Sequence, residues 1–192
     1  MRAAFLCFFV VMGNELIIVK LVLATPWLIW LAAGDCRRHE LPNALTLGGA
    51  AVAAAIALAA GVDYLLGSLL TAFLSSLFLL LPFFLRAAGA GDVKMLFAAG
   101  MAAGPGCTLN LILLVSMAGL LLAVVMLLAG RVDPARLKHF LRCLFDFRYD
   151  RAEGRKQLPP PETESCRVPF GVAIAAGLWI NLLMQLLLTV RS

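Results

Sequence analysis

Six stretches of the chain are almost wholly apolar, and the polar residues fall between them. The runs cover roughly 15–34, 44–62, 64–85, 92–105, 107–129 and 168–190. Most approach the ~20 residues that a helix needs to cross the hydrocarbon of a bilayer. Apolar residues follow one another without alternation, which excludes a closed β-barrel, where lipid-facing and lumen-facing positions take turns. The pattern predicts an all-α polytopic membrane protein with about six transmembrane helices, built as one integral-membrane domain over residues 1–192. The fourth run is short. At 1.5 Å per residue it covers only about 20 Å, and taken alone it would suit a re-entrant segment. Residues 1–13 resemble the apolar part of a signal peptide, but no clean small-residue cleavage site follows, so they read as part of the first helix or an extension of it.

Composition agrees: 62% of residues are apolar and 14% charged, too few polar groups to cover a soluble domain of this size. The placement of charge then decides the fourth run. If it crosses, Arg37, Arg38, Arg86, Lys94 and the basic stretch 131–167 all lie on one side. The other side keeps Arg2 and Arg191, with Lys20 inside the first helix. Basic loops face the cytoplasm, so six spans are favoured, with both termini outside. The net charge of +5 is thus loop asymmetry, and no nucleic-acid partner is expected.

The second run is rich in Ala and Gly, which allow close helix approach where lipid gives no hydrophobic drive, and it is expected to be an interior helix. The third, rich in Leu and Phe, should face lipid over much of its surface. Within 131–167, Asp133 is a good N-cap and Pro134 suits the first helical position. Leu137, Phe140, Leu141, Leu144 and Phe145 then recur at helical spacing, opposite Lys138, His139 and Arg142. This cytoplasmic amphipathic helix either lies on the membrane surface, with lipid as its partner, or packs on its own protein. The five cysteines show no metal spacing, and neither a metal nor another cofactor is expected.

Two aspartates stand out. Asp35 ends the first long run, and Asp92 sits in Gly89-Ala90-Gly91-Asp92-Val93-Lys94-Met95, just after the third. An aspartate costs about 2.5–3.5 kcal/mol near the centre of a membrane helix and less toward its ends, so such residues suggest function. Alone, Asp35 reads as a solvated residue of a polar turn and Asp92 as a helix cap. Gly89 and Gly91 suggest an unwound, shielded and wet turn around Asp92. Together the pair suggests a dyad. Amide hydrolysis needs a base to activate water and an acid to protonate the departing nitrogen, and two close carboxylates sharing one proton supply both. Such a pair titrates as a unit, so neither is assigned as acid or base.

Asp35 followed by Arg37, Arg38 and Leu41-Pro42-Asn43-Ala44-Leu45-Thr46, then the Gly89–Met95 stretch, then Val168-Pro169-Phe170-Gly171, resembles the type IV prepilin peptidases, membrane aspartyl proteases with a GxGD motif. The likeness runs from about residue 15 onward. It implies an aspartic-type endopeptidase of the bacterial inner membrane that removes the leader of a prepilin or pseudopilin at the cytoplasmic face. Asp35 and Asp92 would be catalytic. Gly89, Gly91, Lys94, Arg38, Pro42, Asn43, Pro169 and Gly171 would support them. Larger members carry an N-terminal domain with paired CxxC motifs and methylate the new N-terminus. That domain is not seen here, so methylation is not expected, and the short form is more similar to peptidases of tight-adherence (Flp-type) pilus systems. The residues alone also allow a small proton-coupled transporter or an assembly subunit, with the carboxylates relaying protons. A serine or zinc protease is not indicated, since both histidines lie in loops and HExxH is missing.

Overall fold

The computed structural model describes residues 2–38, 42–84, 89–129 and 170–191. They form six helices: α1 (Arg2–Arg38), α2 (Asn43–Ala60), α3 (Val62–Phe84), α4 (Ala90–Ala103), α5 (Thr108–Leu128) and α6 (Phe170–Arg191). Five of them contain a stretch long and apolar enough to cross a membrane, in α1 between Glu15 and Asp35. All six fall where the apolar runs predict them. Residues 1–14 give no separate element, because α1 runs without a break from Arg2. The amphipathic helix expected in 131–167 lies outside the described residues.

The fourteen-residue α4 is the interior element. Met95, Leu96, Ala98, Ala99, Gly100, Met101, Ala102 and Ala103 are all buried. It packs chiefly on α3 and α2, then on α6. A helix shielded by its neighbours needs no long lipid-facing surface, which is why so short a run can stand in a membrane. Small residues let these backbones meet. A Cβ on Gly100 would lie 2.6 Å from Ala72 Cα, and one on Gly177 of α6 would lie 2.9 Å from Val115 Cα of α5. With no hydrophobic drive between helices in lipid, such close van der Waals packing holds the bundle together.

The second helix differs from expectation. In α2 only Thr46, Ala53 and Ala57 are buried. Its small residues serve one close approach instead, the Trp27 indole of α1 lying on Gly49 and donating from Nε1 to Leu45 O at 2.8 Å. α3 matches its reading. Leu66, Leu70, Phe73, Leu77 and Phe78 are exposed to lipid, while Ser68, Thr71, Ala72, Ser75 and Leu79 form the buried stripe. Ser76 Oγ donates to Phe73 O, a packing contact within the helix.

Gly100→Val should force α3 and α4 apart and destabilise the protein by about 1–3 kcal/mol. Gly48→Ala, with nothing within 4 Å of the added carbon, should be neutral or stabilise by up to about 1 kcal/mol. Denaturation of the two variants in one detergent checks the contrast.

Candidate active site

Asp35 lies in the last turns of α1 and is 6% exposed. Its carboxyl group rests on the backbone of Gly171, the second residue of α6: a Cβ there would be 2.7 Å from Oδ2 and 3.0 Å from Cγ. Gly171 is therefore glycine because the carboxylate occupies the space of a side chain. The first turn of a helix carries a partial positive charge, and the Asp35 carboxyl lies beside it.

Asp92 is the third residue of α4 and half-buried. Its Oδ2 accepts the N–H of Gly89 at 3.0 Å. That is one half of a capping box; the other half is missing because Gly89 at the N-cap has no side chain. The capping role suggested by the sequence is therefore real, and it fixes the orientation of the carboxylate at the positive end of α4. The turn is less unwound than Gly89 and Gly91 suggested. Gly91 is within the helix, and Gly89 has an ordinary extended backbone with φ −81°.

Lys94 Nζ donates to Asn43 Oδ1 at 2.9 Å, joining the first turn of α4 to the first residue of α2. Pro42 precedes it with φ −63° and ψ 127°, and its carbonyl accepts the N–H groups of Leu45 and Thr46. The proline thus ends the loop that follows Asp35 and starts α2 beside the Asp92 turn. Arg38 closes α1, and Pro169 lies outside the described residues.

Two rulers compare the depths of the aspartates. At the far end of the bundle Lys20 lies against Gly104, a Cβ there being 3.1 Å from Nζ. From that level Asp35 is fifteen residues along α1, about 22 Å, and Asp92 twelve residues along α4, about 18 Å. The second contact joins Gln185 Nε2 to Ala103 O at 3.0 Å. From there Gly171, beside Asp35, is about 21 Å away and Asp92 about 17 Å. Both rulers put the two carboxylates at one end of the bundle, within about 5 Å in depth along the helix axes. Both α1 and α4 pack against α6. An apolar cleft of about 300 Å³ runs between α1 and α2 from Ala44, next to Asn43, to Ile56, with Lys20 in its wall.

A sequence model of the type IV leader peptidase family matches residues 22–124, more than half of the chain. The chain belongs to the type IV leader peptidase family. It is accordingly a multi-pass membrane protein of a peptidase family. The matched stretch contains Asp35, Asn43, Asp92 and Lys94 and ends before Gly171. No curated protein and no solved structure is matched.

The sequence reading did not foresee the contacts of Lys20 and Gln185 at the far end of α4. Lys20 was visible as a charge inside a span, an expensive feature. Nothing in the sequence pairs it with Tyr64 of α3, whose hydroxyl accepts from Lys20 Nζ at 2.9 Å. Asn43 was singled out for its motif, not as the acceptor of Lys94.

Breaking the Lys94–Asn43 bond should cost little, because both side chains are exposed. Lys94→Met and Asn43→Ala should be non-additive by about 0.5–1.5 kcal/mol in a double-mutant cycle of unfolding, the net value of one such bond.

Proposed function

We propose that the protein is an aspartic-type endopeptidase that removes the leader peptide of a type IV prepilin or pseudopilin, with Asp35 and Asp92 as its catalytic pair. The observation that carries this reading is the common depth of two carboxylates, each against the positive end of a helix, inside a leader peptidase sequence. The basic residues crowded toward the same end support a site facing the cytoplasm of a bacterial inner membrane.

The pair carries one proton between its two groups. The ionised carboxylate takes a proton from water, and the resulting hydroxide adds to the scissile carbonyl carbon. The protonated partner gives its proton to the amide nitrogen as the C–N bond breaks. The leader leaves as a carboxylic acid and the mature chain as an amine. Two adjacent carboxylates resist double ionisation, which keeps one proton on the pair near neutral pH. The helix ends at Asp35 and Asp92 oppose that resistance. Lys94 holds the Asp92 turn against α2, and Gly171 gives Asp35 its place.

Leader removal without methylation is part of this proposal, and it rests on the likeness to Flp-type peptidases alone. Family membership speaks for a peptidase over a proton-coupled transporter or an assembly subunit. Purified protein with a model prepilin tests the proposal. Asp35→Asn and Asp92→Asn should each slow cleavage on the order of a thousandfold, as expected for losing a general acid or base. Gly171→Ala should push the Asp35 carboxyl aside and slow cleavage about tenfold or more, while leaving unfolding nearly unchanged. Mass spectrometry of the mature product should find a free, unmethylated amine, even with a methyl donor present. An intact prepilin, together with ion movement through the protein, would replace this reading with the transporter.

A further inference from the structure

The last carbonyls of a helix have no partner within it, and those of α4 lie deep in the protein. At fourteen residues α4 is about 21 Å long, roughly 9 Å short of the hydrocarbon thickness of a bilayer. Its end is met by side chains from three other helices. Gln185 of α6 donates from Nε2 to Ala103 O at 3.0 Å and to Asn181 Oδ1 at 2.6 Å. Lys20 of α1, 3% exposed, donates from Nζ to the Tyr64 hydroxyl of α3 at 2.9 Å. Both groups of that pair press on Gly104, where a Cβ would lie 2.5 Å from the Tyr64 oxygen and 3.1 Å from Lys20 Nζ. Gly104 ends α4 with φ +95°, a conformation natural to glycine alone. The ammonium of Lys20 thus stands at the negative end of the α4 dipole, which offsets part of the cost of holding a cation there.

We infer that Lys20, Tyr64 and Gln185 are positioning residues, forming a clamp on the outer end of α4 that sets the depth and rotation of Asp92 about 18 Å away. A helix of three to four turns moves as a rod. A shift or turn at Gly104 is therefore delivered to Asp92, whose cap and carboxylate lie in the first turn of the same helix. The clamp draws on α1 and α6 together, and these are also the two helices whose contact seats Asp35. One group of contacts at the outer end thus registers both carboxylates at the inner end.

The inference rests on the peptidase reading above, and cleavage kinetics test it. Lys20→Met keeps the length of the side chain and removes the charge. With a model prepilin, its kcat per folded molecule should fall at least tenfold while KM stays within twofold. The two limbs of its pH–rate profile should move, because the coupling of the carboxylates depends on their separation. Lys20→Arg should recover most of kcat and the original profile. Gln185→Leu should shift both quantities in the same direction by a smaller amount. A folded Lys20→Met protein with the wild-type kcat and pH profile overturns the inference. So does one that is merely less abundant, with normal kcat per folded molecule. If Lys20→Met does not fold, Gln185→Leu, which leaves the charge in place, is judged by the same two criteria. A wild-type protein that leaves the prepilin intact, or an Asp92→Asn variant that still cleaves it, would sink the aspartyl peptidase reading itself.

Discussion

A helix too short to cross the bilayer on its own stands at the centre of this protein, and both of its ends must be satisfied by neighbours. The first turn of α4 carries Asp92, which takes the free N–H of Gly89. Its far end stops inside the bundle, where Gln185 supplies a donor and Lys20 a positive charge. Between the ends, Gly100 lets the backbone of α3 close in, and α2 packs on another side. The shortness of α4 is therefore useful. A longer helix would reach the outer surface and leave its end to water and lipid, with less to fix its register.

The same end of the bundle holds both carboxylates. Asp92 sits in the first turn of α4, and Asp35, from the end of α1, rests on the first turn of α6. In each case the carboxylate lies at the start of a helix, where the dipole is positive. In the proposed pair, like charges at short range favour one shared proton and helix starts favour ionisation, the two tendencies that a general acid and a general base acting together require. The glycines at 89 and 171 serve this in different ways. Gly171 makes room for a carboxylate, whereas Gly89 is a cap whose backbone, with φ −81°, any residue adopts.

Much of the fold was legible because apolar runs report membrane helices directly. Charge placement favoured a crossing for the fourth run, whose fourteen-residue helix is too short to count among the five long apolar ones. The role of α2 was misread because Ala and Gly signal close packing without saying on how much of a helix it occurs. One contact with Trp27 accounts for Gly49, and the buried place went to α4 instead. Asp35 and Asp92 could be found as costly charges in known motifs. Their shared depth could not, since it depends on contacts between Lys20 and Gly104 and between Gln185 and Ala103, across some eighty residues of sequence. Gly171 was named through its motif, but its place against the Asp35 carboxyl could not be read from the sequence.

The central claim is that the two aspartates face a common site at one end of the bundle. Cross-linking in membranes tests it most directly. The five native cysteines are first replaced, and new ones are set at positions 35 and 92. A short bifunctional thiol reagent should then join 35 to 92 within one chain, and should fail to join 35 to a cysteine placed at Gly106 beyond the outer end of α4. Failure of the 35–92 link, with an efficient link between 35 and 106, would contradict the account.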